Sequence, residues 1–301
     1  MKVLLTFLLI TQLDCGFSQN GKILSRKNID LKQEFFWEGI SENDTIKLKY
    51  EYLSDLDFFE IAYQSDSIEV KGFMIEPKAD GKYPVIIFNR GGNRDFSDLS
   101  IGTLINYTSK LASRGYVIIG SNYRKQDEFG GKDVDDVLNL IETVKDISKA
   151  DYRKLGMLGW SRGGMMTYIA LKKTNKIKTA VVGNGPTNLF DVIEERPDME
   201  SKVFAECIPD YWLNKETALR DRSVIFWPDK LNKNSSLLIL SGTNDKFVNS
   251  NQADKIEEEL RKIDYDFELK KIETDHFFSD KKSELDSILI DWFDRKLKNC
   301  R

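Results

Sequence analysis

The chain has 301 residues, 41% of them hydrophobic and 31% charged, and carries a formal net charge of -4. That is enough apolar chain to bury the core of one large α/β domain, and it excludes a disordered protein. A single histidine and three cysteines nearly exclude a zinc site of the His/Cys type, while an acidic balance without a long Lys/Arg run argues against nucleic acid as a partner.

Residues 1–18 stand apart: Lys2 opens them, Val3 to Ile10 form an apolar run, and Gly16-Phe17-Ser18 precede an expected cut before Gln19. This is the pattern of a secretory signal peptide, so a secreted or periplasmic protein is expected. The run is far shorter than the roughly 20 residues of a membrane-spanning helix, and no integral membrane segment is expected after cleavage. Gln12-Leu13-Asp14 matches poorly the small residues that usually precede a lipid-modified cysteine, which disfavours anchoring at Cys15. Cys207 and Cys300 then allow one bridge but no disulfide framework.

Residues 19–57 show no clear period beyond Phe35-Phe36-Trp37 and are expected to form an N-terminal extension packed on the sheet of a domain covering 58–301. Residues 58–64 and 68–75 read as paired strands around the turn residues Gln64-Ser65-Asp66-Ser67. The runs at 84–88 and 116–119 are apolar throughout, as in strands buried on both faces, and 99–114 between them has helical spacing. A stronger helix is predicted over 133–147, with Asp133 as N-cap and Asp135 and Asp136 answering the helix dipole rather than serving catalysis. Further strands are expected at 155–158, 180–182, 237–240 and 267–271, with helices at 165–173, 252–263 and 282–297. The alternation predicts a mostly parallel sheet covered by helices on both faces. Residues 186–233 interrupt it with Phe204, Tyr211, Trp212, Phe226 and Trp227, either a helical cap with its own small core or a lid over a pocket.

The chemistry concentrates in three places. Gly159-Trp160-Ser161-Arg162-Gly163 lies between a strand and a helix, where glycines permit the sharp turn that exposes a nucleophilic serine. A serine hydroxyl is unreactive near neutral pH, so it needs a base, a group that holds the base, and donors for the developing oxyanion. Backbone N–H groups at the start of the helix, Arg162 first, are candidate donors. The only histidine, His276, follows the last strand and precedes the last helix, which is where elbow folds place the base, and the acid should lie between serine and histidine in the chain. Asp245 does so, directly after the strand at 237–240. Asp275, adjacent to His276, is expected to point away from it, and Asp264 and Asp266 precede the last strand.

Taken together, Gly159-Trp160-Ser161-Arg162-Gly163-Gly164, Gly242-Thr243-Asn244-Asp245 with Val248, Asp275-His276, and Gly130-Gly131 ahead of the Asp133 helix resemble the catalytic domain of the prolyl oligopeptidase family of α/β-hydrolases, over roughly residues 58–297. The resemblance implies the α/β-hydrolase fold, a mostly parallel central sheet flanked by helices with a helical cap insertion. It also implies Ser161 as nucleophile, Asp245 as orienting acid and His276 as general base, acting on short peptides through an acyl-enzyme with no cofactor and no metal. Family members usually carry Tyr or His just before Gly-Gly in the loop after the first core strand, where Tyr helps form the oxyanion hole. Here Arg90 stands before Gly91-Gly92: its side chain donates, or the Gly91 N–H serves alone, or Arg90 is a solvated loop arginine. Arg162 replaces the aromatic residue common after the nucleophile, which leaves a proline preference open, and no β-propeller is expected ahead of the domain, so the specificities a propeller confers are not implied. Carboxylic ester hydrolysis is the competing activity, since the acylation machinery is shared. A non-catalytic binding protein on the same fold would be expected to have a broken triad position, and none is broken.

Overall fold

In the computed structural model residues 19–94 and 96–299 are described; the expected signal peptide with Cys15, and Cys300, lie outside them. The strands are β1 (Ile23–Asn28), a short hairpin of β2 (Ser41–Glu42) and β3 (Thr45–Ile46), β4 (Leu56–Ser65), β5 (Ile68–Pro77), β6 (Tyr83–Asn89), β7 (Val117–Ser121), β8 (Ala150–Trp160), β9 (Ile177–Gly183), β10 (Ser236–Gly242) and β11 (Phe267–Ile272). The helices are α1 (Trp37–Ile40), α2 (Ile101–Ser113), α3 (Asp133–Thr143), α4 (Arg162–Lys173), α5 (Leu189–Glu195), α6 (Ala205–Cys207), α7 (Tyr211–Arg222), α8 (Asn251–Lys262) and α9 (Lys282–Phe293). No helix among the described residues is long and apolar enough to cross a membrane.

Nine strands form one sheet in the order β1-β4-β5-β7-β6-β8-β9-β10-β11. From β7 to β11 every neighbouring pair is parallel, whereas β5, β4 and β1 join antiparallel on the far side of β7. Successive side chains of a strand point to opposite faces, and the apolar runs supply two cores accordingly. Val85 and Ile87 of β6 and Leu155 and Met157 of β8 face α3, α4 and α8, while Ile86, Phe88, Leu158 and Trp160 face α2 and α9. The chain leaves β6 for β7 on one side and returns to β8 on the other, so the sheet's switch point lies between the carboxyl ends of β6 and β8. Open α/β sheets form their clefts there.

Three expectations change in detail. The N-terminal extension is not merely packed on the sheet: β1 pairs with β4 as an edge strand. Asp133 does not act as an N-cap; that position falls on Lys132, and the Asp133 carboxylate accepts from the N–H groups of Gly130 (3.0 Å) and Gly131 (2.9 Å) while pairing with Arg162. The insertion has no separate core, because Phe204, Tyr211 and Trp227 join the larger of the two sheet cores while Trp212 stays two-thirds exposed. Leu189, Val192 and Phe204 of the same insertion also line a cavity that Ser161 and His276 share.

Candidate active site

Strand β8 delivers Ser161 at φ 56°, ψ -126°, a left-handed conformation that L-residues adopt only under constraint. The Ser161 N–H still bonds to Gly183 O (2.8 Å), and the Ser161 carbonyl already accepts from Gly164 N–H (2.8 Å), so strand becomes helix within one residue. A Cβ on Gly163 would collide with the Asn89 carbonyl at the end of β6, so only glycine allows α4 to start this close to the neighbouring strand.

His276 and Asp245 meet at the same end of the sheet. The imidazole Nδ1 lies 2.6 Å from Asp245 Oδ2, and the two side chains are 5% and 0% exposed. The other Asp245 oxygen accepts from Phe247 N–H (2.7 Å) and Val248 N–H (3.0 Å), which fixes the carboxylate before any histidine arrives. Asp275 turns away as expected: Ser279 N–H and Phe277 N–H bond to its carboxylate and hold its pKa below the ordinary value.

Sequence reasoning missed the groups that hold the histidine loop. The His276 carbonyl accepts from Trp160 Nε1 (2.9 Å) and Asn184 Nδ2 (2.8 Å), and Asn184 Oδ1 in turn accepts from Gly242 N–H (2.8 Å). Asn184 itself is left-handed at φ 47°, a conformation Asn tolerates better than most residues. Phe247 and Phe277 flank the imidazole, with ring centroids 5.1 and 5.0 Å away. The one available signal was the run of aromatic residues around the two motifs.

Ser161, His276, Gly91 and Arg162 line one cavity of about 1210 Å³. Its walls are apolar cap residues, α2, and the aromatic segment of the N-terminal extension, including Phe36 and Tyr52. An ideal Cβ on Gly91 would sit 3.2 Å from Ser161 Cβ and 3.8 Å from Oγ, so the Gly91 backbone abuts the serine. Arg162 N–H is the first amide of α4 and has no intrahelical acceptor, and among the described residues the Gly91 N–H donates no hydrogen bond. Both are available to a ligand oxygen.

Arg90 stands differently from two of the expected readings. It is not solvated, being 2% exposed, and its guanidinium makes five hydrogen bonds: twice to Asn122 O and once each to Gly91 O, Ser97 O and Arg94 O. A guanidinium has five N–H groups, so none is left for an oxyanion. The Arg162 side chain is also buried, ion-paired to Asp127 (2.9 Å) and Asp133 (2.5 Å) and bonded to Gly92 O (2.9 Å). Burial works against both charges of such a pair, yet the mutual attraction outweighs it, so Asp133 is held below the ordinary carboxylate value and Arg162 above its own.

A mostly parallel sheet whose switch point carries a strained serine on a strand-to-helix turn, lining one cavity with a carboxylate-bound histidine, is the arrangement of an α/β-hydrolase. The sequence profile of the prolyl oligopeptidase family matches residues 106–300, well over half of the chain, and the chain belongs to that family. It is 24% identical over 213 residues to the uncharacterized peptidase YtmA of Bacillus subtilis, covering 68% of this chain and 80% of that one. It is 26% identical over 196 residues to dipeptidyl aminopeptidase BIII of Pseudoxanthomonas mexicana, covering 60% of this chain but only 28% of that protein. Among solved structures, the acylaminoacyl peptidase of Pyrococcus horikoshii superimposes with a TM-score of 0.72 at 23% identity, over 84% of this chain and 44% of that one. An esterase of Pyrococcus furiosus superimposes with a TM-score of 0.63 at 15% identity, over 82% of this chain and 94% of that one.

Proposed function

We propose that the chain is a serine hydrolase that cleaves short peptides through an acyl-enzyme on Ser161. The observation that carries this reading is the 2.6 Å contact between His276 Nδ1 and Asp245 Oδ2 in the cavity that Ser161 also lines. With Nδ1–H bound to the carboxylate, the Nε2 lone pair takes the Ser161 proton as Oγ attacks the substrate carbonyl carbon. The oxygen that gains the negative charge is received by the N–H groups of Gly91 and Arg162. Collapse breaks the carbon–nitrogen bond, and the leaving amine takes the proton back from Nε2. A water molecule then repeats the sequence, releasing the acid and restoring Ser161. Peptides are favoured by the family to which the chain belongs. The second reading, ester hydrolysis, has the support of the esterase that this chain matches over nearly its whole length. Export through residues 1–18 is part of the proposal, and the N-terminal mass of protein recovered outside the cytoplasm tests it.

The decisive experiment is intact mass after fluorophosphonate treatment of residues 19–301 and of its Ser161→Ala variant. One adduct that disappears in the variant is the expected result, and a panel of p-nitrophenyl esters and peptide anilides then separates the two substrate classes. No adduct on folded protein would overturn the reading in favour of a non-catalytic binding protein.

A further inference from the structure

Two buried arginines, Arg90 and Arg162, grip the same loop from opposite ends. This loop, described at residues 90–94 and 96–98, carries Gly91 and has unfavourable backbone angles: Gly92, Arg94 and Ser97 have φ of 72°, 42° and 64°. A Cβ at Gly92 would collide with the Phe96 carbonyl, so the turn is tight as well as left-handed. Non-glycine residues persist in this conformation only where their surroundings over-determine it.

The surroundings here are specific. From within the loop, the Arg90 guanidinium bonds the carbonyls of Gly91 (3.0 Å), Arg94 (3.2 Å) and Ser97 (3.3 Å), and it ties all three to Asn122 O at the end of β7 (3.0 Å). From the nucleophile side, Arg162 holds Gly92 O (2.9 Å) and Asp127 Oδ2 (2.9 Å), and that same carboxylate oxygen accepts from Arg94 N–H (2.7 Å). Tyr123 stands between the two cations, its ring 4.8 Å from Arg90 Cζ and 5.2 Å from Arg162 Cζ, and its hydroxyl donates to the Arg90 carbonyl (3.1 Å). A continuous path therefore runs from the residue after the nucleophile, through one carboxylate, to both sides of Gly91.

We propose that Arg90, Arg162 and Asp127 are positioning residues that fix the Gly91 N–H against Ser161, doing from behind the loop what a side-chain donor would otherwise do in front of it. The inference rests on the acyl-transfer reading above. An oxyanion donor acts only when held about 2.7–3.1 Å from the oxygen, and a misplacement of about 1 Å costs roughly 10²-fold. A guanidinium suits this task because it fixes several carbonyls in one plane, which the point charge of a lysine cannot do.

The test is kcat per active site in Arg90→Ala, Arg90→Lys and Asp127→Asn, with sites counted by fluorophosphonate labelling taken to completion. Wild-type labelling that is lost in Ser161→Ala establishes the acyl-transfer reading independently. In all three variants kcat per labelled site should fall, by about 10²-fold for Arg90→Ala, with little change in KM. The affinity of a peptide boronic acid, whose tetrahedral adduct occupies the oxyanion position, should fall with kcat. Millimolar guanidinium should partly restore Arg90→Ala and leave Arg90→Lys unchanged. A merely structural role predicts fewer labelled sites with normal kcat per site. That result would overturn the proposal, as would a loss confined to KM.

Discussion

Ser161 occupies a backbone conformation that favours glycine, and the strain is local enough to measure. Ser161→Gly should be more stable than Ser161→Ala by about 1–2 kcal/mol, because only glycine relaxes at φ 56°, ψ -126°; both should lose about 10⁴-fold or more in kcat. Equal melting temperatures for the two variants would show that the backbone stores nothing. Ser161, Asp245 and His276 could be picked from the sequence as candidates because the elbow fold fixes their chain order. Trp160, Asn184 and Asp127 could not. Trp160 and Asn184 reach a carbonyl 116 and 92 residues away, and Asp127 reaches a guanidinium 35 residues away, pairings that no local spacing encodes. Arg90 was visible as the odd residue before Gly91-Gly92, but the direction of its side chain depends on carbonyls presented by the folded loop.

At the scale of elements, the buried parallel strands were legible because their apolar runs leave little other choice. Strand β1 was not: Ile23-Leu24-Ser25-Arg26-Lys27-Asn28 has no apolar alternation, and its pairing with β4 rests on backbone hydrogen bonds together with Arg26, which lies over the Phe59 ring of β4 and pairs with Glu76 of β5 (2.7 Å). The segment between β1 and β4 has the clearest consequence for specificity. Phe36 packs against the first turn of α2, where an added Cβ on Gly102 would come within 3.1 Å of its ring. Tyr52 docks further along the same helix through Ser109 (3.0 Å) and the Lys110 ammonium. Gly102→Val should therefore displace Phe36 and reshape that wall of the cavity. Its KM for extended peptide anilides should rise about five- to tenfold more than its KM for p-nitrophenyl acetate, a difference of about 1 kcal/mol. Parallel changes for long and short substrates would mean that this wall does not contact the substrate.

For the whole molecule, the buried charges near the elbow make stability depend on pH in a predictable direction. Asp133 has a folded pKa below its unfolded value of about 3.9. Its contribution is therefore complete well above pH 4 and is lost as pH falls through the lower folded value. Asp133→Asn leaves Arg162 with Asp127 as its one remaining carboxylate, and losing the charged bond to Asp133 should cost about 1.5–3 kcal/mol near neutral pH. The gap between wild type and variant should narrow on acidification, as followed by thermal melts between about pH 7 and pH 3; a constant gap would refute the assignment. The order of the sheet was foreseeable only in outline. Alternation predicts parallel neighbours, but that the chain reverses between β6 and β8 becomes visible only when the strands are assembled.

Trp160 gives the site a second use. Its indole lies at the cavity wall, hydrogen-bonds the His276 carbonyl, and packs edge-on against Phe278 and close to Tyr107. Of the five tryptophans in the chain, it is the one adjacent to Ser161 in sequence. Occupation of the serine or displacement of the histidine loop must alter the surroundings of this chromophore. The geometry around Ser161 and His276 should therefore be readable by near-ultraviolet circular dichroism and fluorescence without any added dye, as the part of the signal that Trp160→Phe removes.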